Sequence, residues 1–82
     1  MSKQALIKEY KYITIIHAGD KPKTKIYLVK TKDQEVDLGI IQWYARWRQY
    51  VFFPEDNTIY SKGCMADIND FIEFAMQEQK SK

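Results

Sequence analysis

The 82-residue chain has one cysteine, one histidine, two prolines and three glycines. A single cysteine cannot form an internal disulfide, and with only one histidine beside it the chain offers no zinc site. The three glycines, at positions 19, 39 and 63, are too scattered to form a phosphate-binding loop. We therefore expect no metal, no cofactor and a reducing compartment.

Long apolar runs are also missing. No run of about 18 apolar residues occurs, which is the length that a membrane-spanning helix needs. The N-terminal sequence MSKQALIKEYK lacks the apolar core of a signal peptide. We therefore expect a cytoplasmic protein with no membrane partner.

Catalytic motifs are scarce as well. His17 has no second histidine to work with, and Cys64 stands in no nucleophile motif. A domain of this size rarely has the cavity that an active site requires. The formal net charge of +2 is too small to indicate a nucleic-acid binder by itself. We expect the protein not to be an enzyme.

The aromatic content is the unusual feature of the composition. Phe, Tyr and Trp make up 15% of the residues, while the hydrophobic share of 45% and the charged share of 29% are ordinary for a globular domain. A chain of this length forms one small core. Some of the rings should therefore reach the surface.

The periodicity of the chain predicts one α+β domain over residues 1–82. Residues 10–60 alternate in the manner of strands, and we expect four or five antiparallel strands there, with a short edge strand at 58–60. Residues 1–9 are interpreted as an N-terminal extension.

The apolar spacing becomes helical after Cys64, which predicts a helix over residues 61–77. Ser61 is a plausible N-cap, and residues 78–82 form a polar tail. The predicted fold is thus a four- to five-stranded antiparallel sheet with one C-terminal helix packed on one face.

Strand alternation divides the side chains between two faces of the sheet. A tight turn at Ala45–Arg46 would place Trp43 opposite Arg48. One face then holds Ile41, Trp43, Arg48, Tyr50, Phe52, Tyr10, Tyr12 and Tyr27. The other holds Leu38, Ile40, Gln42, Gln49, Val51 and Phe53, with Ile13, Ile15, Ile26 and Leu28. We expect the helix to cover the second set and to leave the aromatic set open.

The segment from Gln42 to Tyr50 packs two Trp, two Tyr and two Arg into nine residues. These residue types are enriched at binding hot spots, and exposed rings beside arginine also suit nucleobases and phosphates. The candidate binding residues are Trp43, Arg46, Trp47, Arg48, Tyr50, Tyr12 and Tyr27. Alternatively, these rings form a second small core, closed by the N-terminal segment or by a second copy of the chain.

Three segments, at residues 38–44, 47–54 and 67–72, resemble a group of small, uncharacterised bacteriophage and prophage proteins. The shared pattern is Gly, Ile, Trp, a short gap, Trp-Arg, Tyr, Phe and Pro, followed by a closing helix. The resemblance implies an accessory phage protein in the cytoplasm of a bacterial host. It supplies no catalytic residue.

These observations favour a phage-derived accessory binding protein that acts without catalysis. It would engage a host protein, such as one with a role in defence, or sequester a nucleotide ligand through the aromatic and arginine-bearing face. A homodimer is expected, because pairing two sheets face to face would hide the surplus rings. The alternative is a single-stranded nucleic-acid-binding protein.

Overall fold

The computed structural model describes residues 5–32 and 36–80. It contains the strands β1 (Ala5–Glu9), β2 (Ile13–Asp20), β3 (Lys25–Thr31), β4 (Asp37–Tyr44) and β5 (Gln49–Pro54) and the helix α1 (Lys62–Lys80). Each strand pairs antiparallel with the next, so the sheet order is β1-β2-β3-β4-β5. The predicted α+β fold is confirmed.

The element boundaries differ from the prediction in three places. Residues 5–9, expected in an extension, form the edge strand β1. Residues 58–60, expected as a strand, have no regular secondary structure. The helix continues past residue 77 to Lys80, and the last two residues of the predicted tail lie outside the described residues.

Ser61 caps the helix as predicted. The backbone N–H of Cys64 donates to the Ser61 hydroxyl oxygen at 3.1 Å, and the N–H of Met65 donates to the Ser61 carbonyl at 3.0 Å. A helix leaves its first N–H groups without helical partners, and the Ser61 side chain satisfies one of them. The local sequence therefore fixes where α1 begins.

The core lies between α1 and one face of the sheet. Its largest fully buried side chains are Phe71, Ile13, Ile15, Ile41 and Val29. The Phe71 ring meets the Tyr27 ring edge-on, with the centroids 4.7 Å apart. Burial of this apolar area, at about 25 cal/mol per Å², is the main force that holds the helix to the sheet.

The helix covers the sheet face that we expected to be open. Tyr27 and Tyr50 are 5% and 4% exposed, and Trp43 and Phe52 pack against the same core. The predicted direction is therefore wrong. Aromatic rings offer more apolar area than the aliphatic side chains of the opposite face, so covering the rings removes more of it from water.

The grouping of the β4 and β5 side chains is confirmed, although their pairing differs. Trp43 pairs with Tyr50 and Ile41 pairs with Phe52, because the turn spans residues 45–48 rather than two residues. The pairing is shifted by an even number of residues, so every residue of β4 and β5 except Leu38 stays with its predicted group, although the helix covers the other group from the one expected. Arg48, expected within the strand, lies in the turn.

Two aliphatic residues of β3 that were predicted beneath the helix, Ile26 and Leu28, lie on the opposite face, whereas Ile13, Ile15 and Leu38 lie beneath it as predicted. Leu38 is 3% exposed in the core, because the β3–β4 register shifts between Val29 and Lys30 and leaves Leu38 as the extra residue of a bulge. Ile26 and Leu28 alternate with the buried Tyr27 and therefore lie on the face opposite the helix.

Tyr27 makes stability depend on pH in the alkaline range. Burial, with smaller contributions from the nearby Tyr50, Glu78 and Asp20, raises the pKa of its hydroxyl to about 12. The folded protein thus holds this proton where the unfolded chain, with an ordinary pKa near 10, has lost it. The contribution of the neutral Tyr27 hydroxyl to the free energy of unfolding is fully present below pH 10, and it is lost as the pH rises toward 12.

We expect the free energy of unfolding to fall by up to about 2 kcal/mol between pH 10 and pH 12 on account of Tyr27. Urea unfolding at several pH values measures this slope. The control is Tyr27→Phe, which keeps the ring and removes the proton, so that its slope should be shallower. Equal slopes in the two proteins would contradict the prediction.

Candidate binding surfaces

The face of the sheet opposite α1 presents an apolar row that crosses all five strands. Leu6 pairs with Ile16, and Ile16 pairs with Leu28. Leu28 pairs in turn with Ile40, and Ile40 with Phe53. Directly paired residues project from the same face of a sheet. We call these five residues the apolar row.

The two ends of the apolar row are its most exposed members. Leu6 on β1 is 59% exposed and Phe53 on β5 is 39% exposed, whereas Ile16, Leu28 and Ile40 are half-buried. Within residues 5–32 and 36–80, no second layer lies over this face. The solvated face of an antiparallel sheet is normally polar, so a continuous apolar stripe there is unusual.

The charges that flank the apolar row are balanced. On one side Glu9 pairs with Thr14, Thr14 with Lys30, and Lys30 with Asp37, and Lys32 lies beside Glu9 and Lys30. The Lys30 ammonium lies 3.7 Å from the Asp37 carboxylate, so the two charges offset each other. On the other side the neutral Gln42 pairs with Val51. The row is therefore bordered by polar groups without a strong local field.

The turn between β4 and β5 forms a second candidate surface. The Tyr44 carbonyl accepts hydrogen bonds from the N–H groups of Trp47 at 3.1 Å and Arg48 at 2.9 Å. Arg48 has a φ of 55°, a conformation that favours glycine and that costs other L-residues about 1–2 kcal/mol. We call Tyr44, Arg46, Trp47 and Arg48 the hairpin tip.

Trp47 is the most prominent side chain of the hairpin tip. Its side chain is 65% exposed, and its ring stands edge-on to the Tyr44 ring with the centroids 5.0 Å apart. Tyr44 in turn meets the Phe53 ring at 6.4 Å. This chain of rings connects the hairpin tip to the β5 end of the apolar row.

The structure does not bring the predicted binding residues together on one surface. Arg46, Trp47 and Arg48 are exposed together at the hairpin tip. Tyr27 and Tyr50 lie in the core, where a partner could not reach their rings without disrupting the fold. The expectation that these two tyrosines form part of an open binding face is therefore wrong.

Tyr50 has a structural role instead. Its hydroxyl accepts a hydrogen bond from the Lys25 N–H at 3.2 Å, and its own N–H donates to the Met76 sulfur at 3.3 Å. Trp43 is half-buried beside it, with the two rings edge-on at 5.5 Å. These contacts hold the start of β5 against β3 and the helix.

Tyr12 lies far from the hairpin tip, near the start of the helix. It is 44% exposed, its ring packs over Gly63, and its N–H donates to the Asp67 carboxylate at 3.3 Å. Nearby, the Tyr10 hydroxyl donates to Asp70 at 2.7 Å, and burial together with this bond raises the Tyr10 pKa above its usual value. Both tyrosines anchor the β1–β2 connection to α1.

Sequence reasoning did not identify the apolar row as a surface. Ile40 and Phe53 were expected beneath the helix, together with Leu28, and Leu6 fell in the predicted extension. The alternation of apolar residues in the strands was a usable signal for the face that these residues share. It could not show that members from five strands stand side by side, because that depends on every strand register.

Comparison with known proteins places the chain among phage proteins. No family model and no solved structure matches it. Within the described residues, no helix has the length and apolar content needed to cross a bilayer. A curated protein named "Uncharacterized 9.3 kDa protein", from Acholeplasma phage L2, is 33% identical over 58 residues, which cover 71% of this chain and 74% of that protein. The chain therefore belongs to the family of small phage proteins that includes the 9.3 kDa protein of Acholeplasma phage L2.

Proposed function

We propose that this protein is an accessory phage protein that acts in the host cytoplasm by binding a host protein, without catalysing a reaction. The hairpin tip is its contact surface. The observation that carries the proposal is the exposure of Trp47, at 65%, between Arg46 and Arg48 on a hydrogen-bonded turn. A host protein with a role in defence is the class of target that a phage gains most by engaging.

The composition of the hairpin tip suits protein recognition. Trp and Arg dominate binding hot spots, because each joins a large contact area to directed polar groups. The Tyr44 ring holds Trp47 from one side, so part of the ordering cost is met before a partner arrives. We therefore expect Trp47 to enter an apolar pocket of the partner.

The backbone at Arg48 supports the same reading. Glycine would relieve the strained φ at this position, yet the chain carries an arginine there. Strained conformations of this kind cluster at functional sites. A guanidinium next to an exposed tryptophan suits a carboxylate, which it can bind in bidentate fashion. The expected target thus has an acidic rim around an apolar pocket.

A nucleotide ligand or a single nucleic-acid strand fits the structure less well. Such ligands need exposed rings along a basic track. The open sheet face instead carries mainly aliphatic side chains, with Phe53 at its β5 end, and its Lys30 is paired with Asp37. Trp47 with its two arginines offers one stacking position, so we retain these ligands as outcomes of the test.

Trp47→Ala should strongly weaken partner binding. Truncation of a hot-spot tryptophan costs about 2 kcal/mol or more, which weakens the affinity about 30-fold. Affinity capture from Acholeplasma lysate, followed by titration of the captured protein, measures the loss. The control is Ile59→Ala, because Ile59 is 90% exposed and lies outside the hairpin tip.

The proposal requires a host protein that is captured by the wild type and by Ile59→Ala but not by Trp47→Ala. Equal binding of that host protein to all three proteins would contradict the proposal that the hairpin tip is the contact surface. Titration with oligonucleotides and mononucleotides, followed by tryptophan fluorescence, is the second arm. Salt-sensitive quenching there, without a captured protein, would favour the nucleic-acid alternative.

A further inference from the structure

We infer that the apolar row is the interface of a homodimer, in which a second copy of this chain packs against it sheet to sheet. This surface lies opposite the helix and is distinct from the hairpin tip. The inference therefore does not depend on which partner the hairpin tip binds. It rests on the continuity, neutrality, symmetry and size of the row.

The apolar row has the continuity of a core layer. Four successive residue pairings place one apolar side chain from each strand in a single line, from Leu6 on β1 to Phe53 on β5. Val51 and Ile26 add apolar area beside it. In a two-layer fold such a line normally packs against a second layer, and α1 occupies the other face.

The charge distribution favours an uncharged partner surface. Lys30, next to the row, already pairs with Asp37 of the same chain at 3.7 Å. A polyanion would have to displace this carboxylate to reach the ammonium. A second copy brings the same Lys30–Asp37 pair and the same apolar side chains, so neither of these two charges is buried without its opposite beside it.

The position of β3 gives the row a natural centre. β3 is the middle strand of five, so a two-fold axis along it would place Leu28 against Leu28 of the second copy. The same axis sets Ile16 against Ile40 and Leu6 against Phe53. Each contact joins apolar groups, and the two sheets would lie about 10 Å apart.

The available area is sufficient for a modest dimer. Five strands spaced about 4.8 Å apart, over about 20 Å of strand length, give roughly 500 Å² of flat area on each copy. Two copies would together bury about 1,000 Å², without the extra area of side chains that protrude from the sheet plane. This area is near the lower limit for a specific interface. We therefore expect a dissociation constant in the micromolar range.

Leu28→Lys should disrupt the dimer, because two ammonium groups would meet at the axis within an apolar layer. We expect association to weaken about 100-fold or more, as measured by sedimentation equilibrium over a wide range of concentration. The control is Met65→Lys, which adds the same charge to the helix at a residue that is 55% exposed. Its dimer should match that of the wild type.

Leu6→Lys tests the row without threatening the fold, since Leu6 is 59% exposed at the sheet edge. We expect association to weaken about tenfold, with an unchanged near-ultraviolet circular dichroism spectrum. A wild type that stays monomeric at every concentration would overturn the inference. So would Leu28→Lys and Leu6→Lys proteins that associate like the wild type, or a Met65→Lys protein that is equally impaired.

The experiment also separates this interface from the hairpin tip. Trp47→Ala should keep the dimer intact while losing the host protein, so either proposal can fail without the other. The wild type could instead be monomeric and capture a host protein that Leu28→Lys no longer captures. The apolar row would then be the binding site for that host protein, and the homodimer would be overturned.

Discussion

Phe71→Ala should lower the free energy of unfolding by about 3–5 kcal/mol, the range for removing a large buried ring. Phe71 is fully buried and touches the Tyr27 ring at 4.7 Å and the Phe74 ring at 5.5 Å. Because domains of this size are stable by only about 5–10 kcal/mol, this loss removes about a third or more of the stability, and the variant should unfold at a much lower urea concentration. Urea unfolding followed by circular dichroism, at one fixed protein concentration, measures the loss.

Phe74→Ala is the matched control, because it makes the same chemical change on the same helix. Phe74 is 38% exposed, so its truncation removes less buried area, and we expect a loss of about 1 kcal/mol. Similar losses for the two variants would mean that the helix is not held to the sheet through the Phe71 ring.

Gly39→Ala should also be strongly destabilising, by about 2–4 kcal/mol. Gly39 has a φ of 154°, and a β-carbon there would collide with the Phe53 carbonyl and lie 2.9 Å from two atoms of the Phe52 ring. The backbone carbonyl cannot move aside without breaking the β4–β5 pairing. The strand must therefore shift or the bulge beside Gly39 must rearrange.

Gly19→Ala provides the comparison within the same sheet. The nearest atom to a β-carbon at Gly19 is Cδ1 of Ile26 at 3.8 Å, which is an ordinary contact. We expect a change within about 0.5 kcal/mol, or a slight gain from the stiffer unfolded chain. The same urea titration serves both variants, and equal effects would contradict the steric account of Gly39.

The period of the apolar residues was enough to predict the sheet and the helix, but not the length of the turn between β4 and β5. Residues 45–48 contain no glycine, proline or asparagine to mark the turn. The turn uses Arg48 in a left-handed conformation that glycine and asparagine adopt more readily. Because its length differs from the expected one by an even number, the grouping of the side chains survived everywhere except at Leu38, although the choice of which group the helix covers did not.

The choice of which face the helix covers could not be made from the pattern. Both faces of β4 and β5 are apolar, so hydropathy does not separate the aromatic face from the aliphatic one. The choice depends on a contact between distant segments, the Phe71 ring against the Tyr27 ring. The greater area of the rings would have been the better guide.

The candidate surfaces show the same division between local and distant information. The exposure of Arg46, Trp47 and Arg48 follows from their place in the turn. The sequence predicted that turn only at residues 45–46, and placed Trp47 and Arg48 in the following strand. The apolar row depends on four strand registers, and the β1–β2, β2–β3 and β3–β4 pairings each contain a shift. Each shift moves side chains relative to those of the neighbouring strand, and no local pattern revealed its position.

The strictly sequential order of the sheet has a consequence for synthesis on the ribosome. Each strand can join the previous one as it emerges, and such local pairings form quickly. The 19-residue helix follows all of the strands along the chain, so the rings of Tyr27 and Tyr50 meet water until it arrives. Until the helix forms, the nascent sheet exposes apolar side chains on both faces. The chain is then most prone to aggregate, and this is the interval in which a chaperone would help it most.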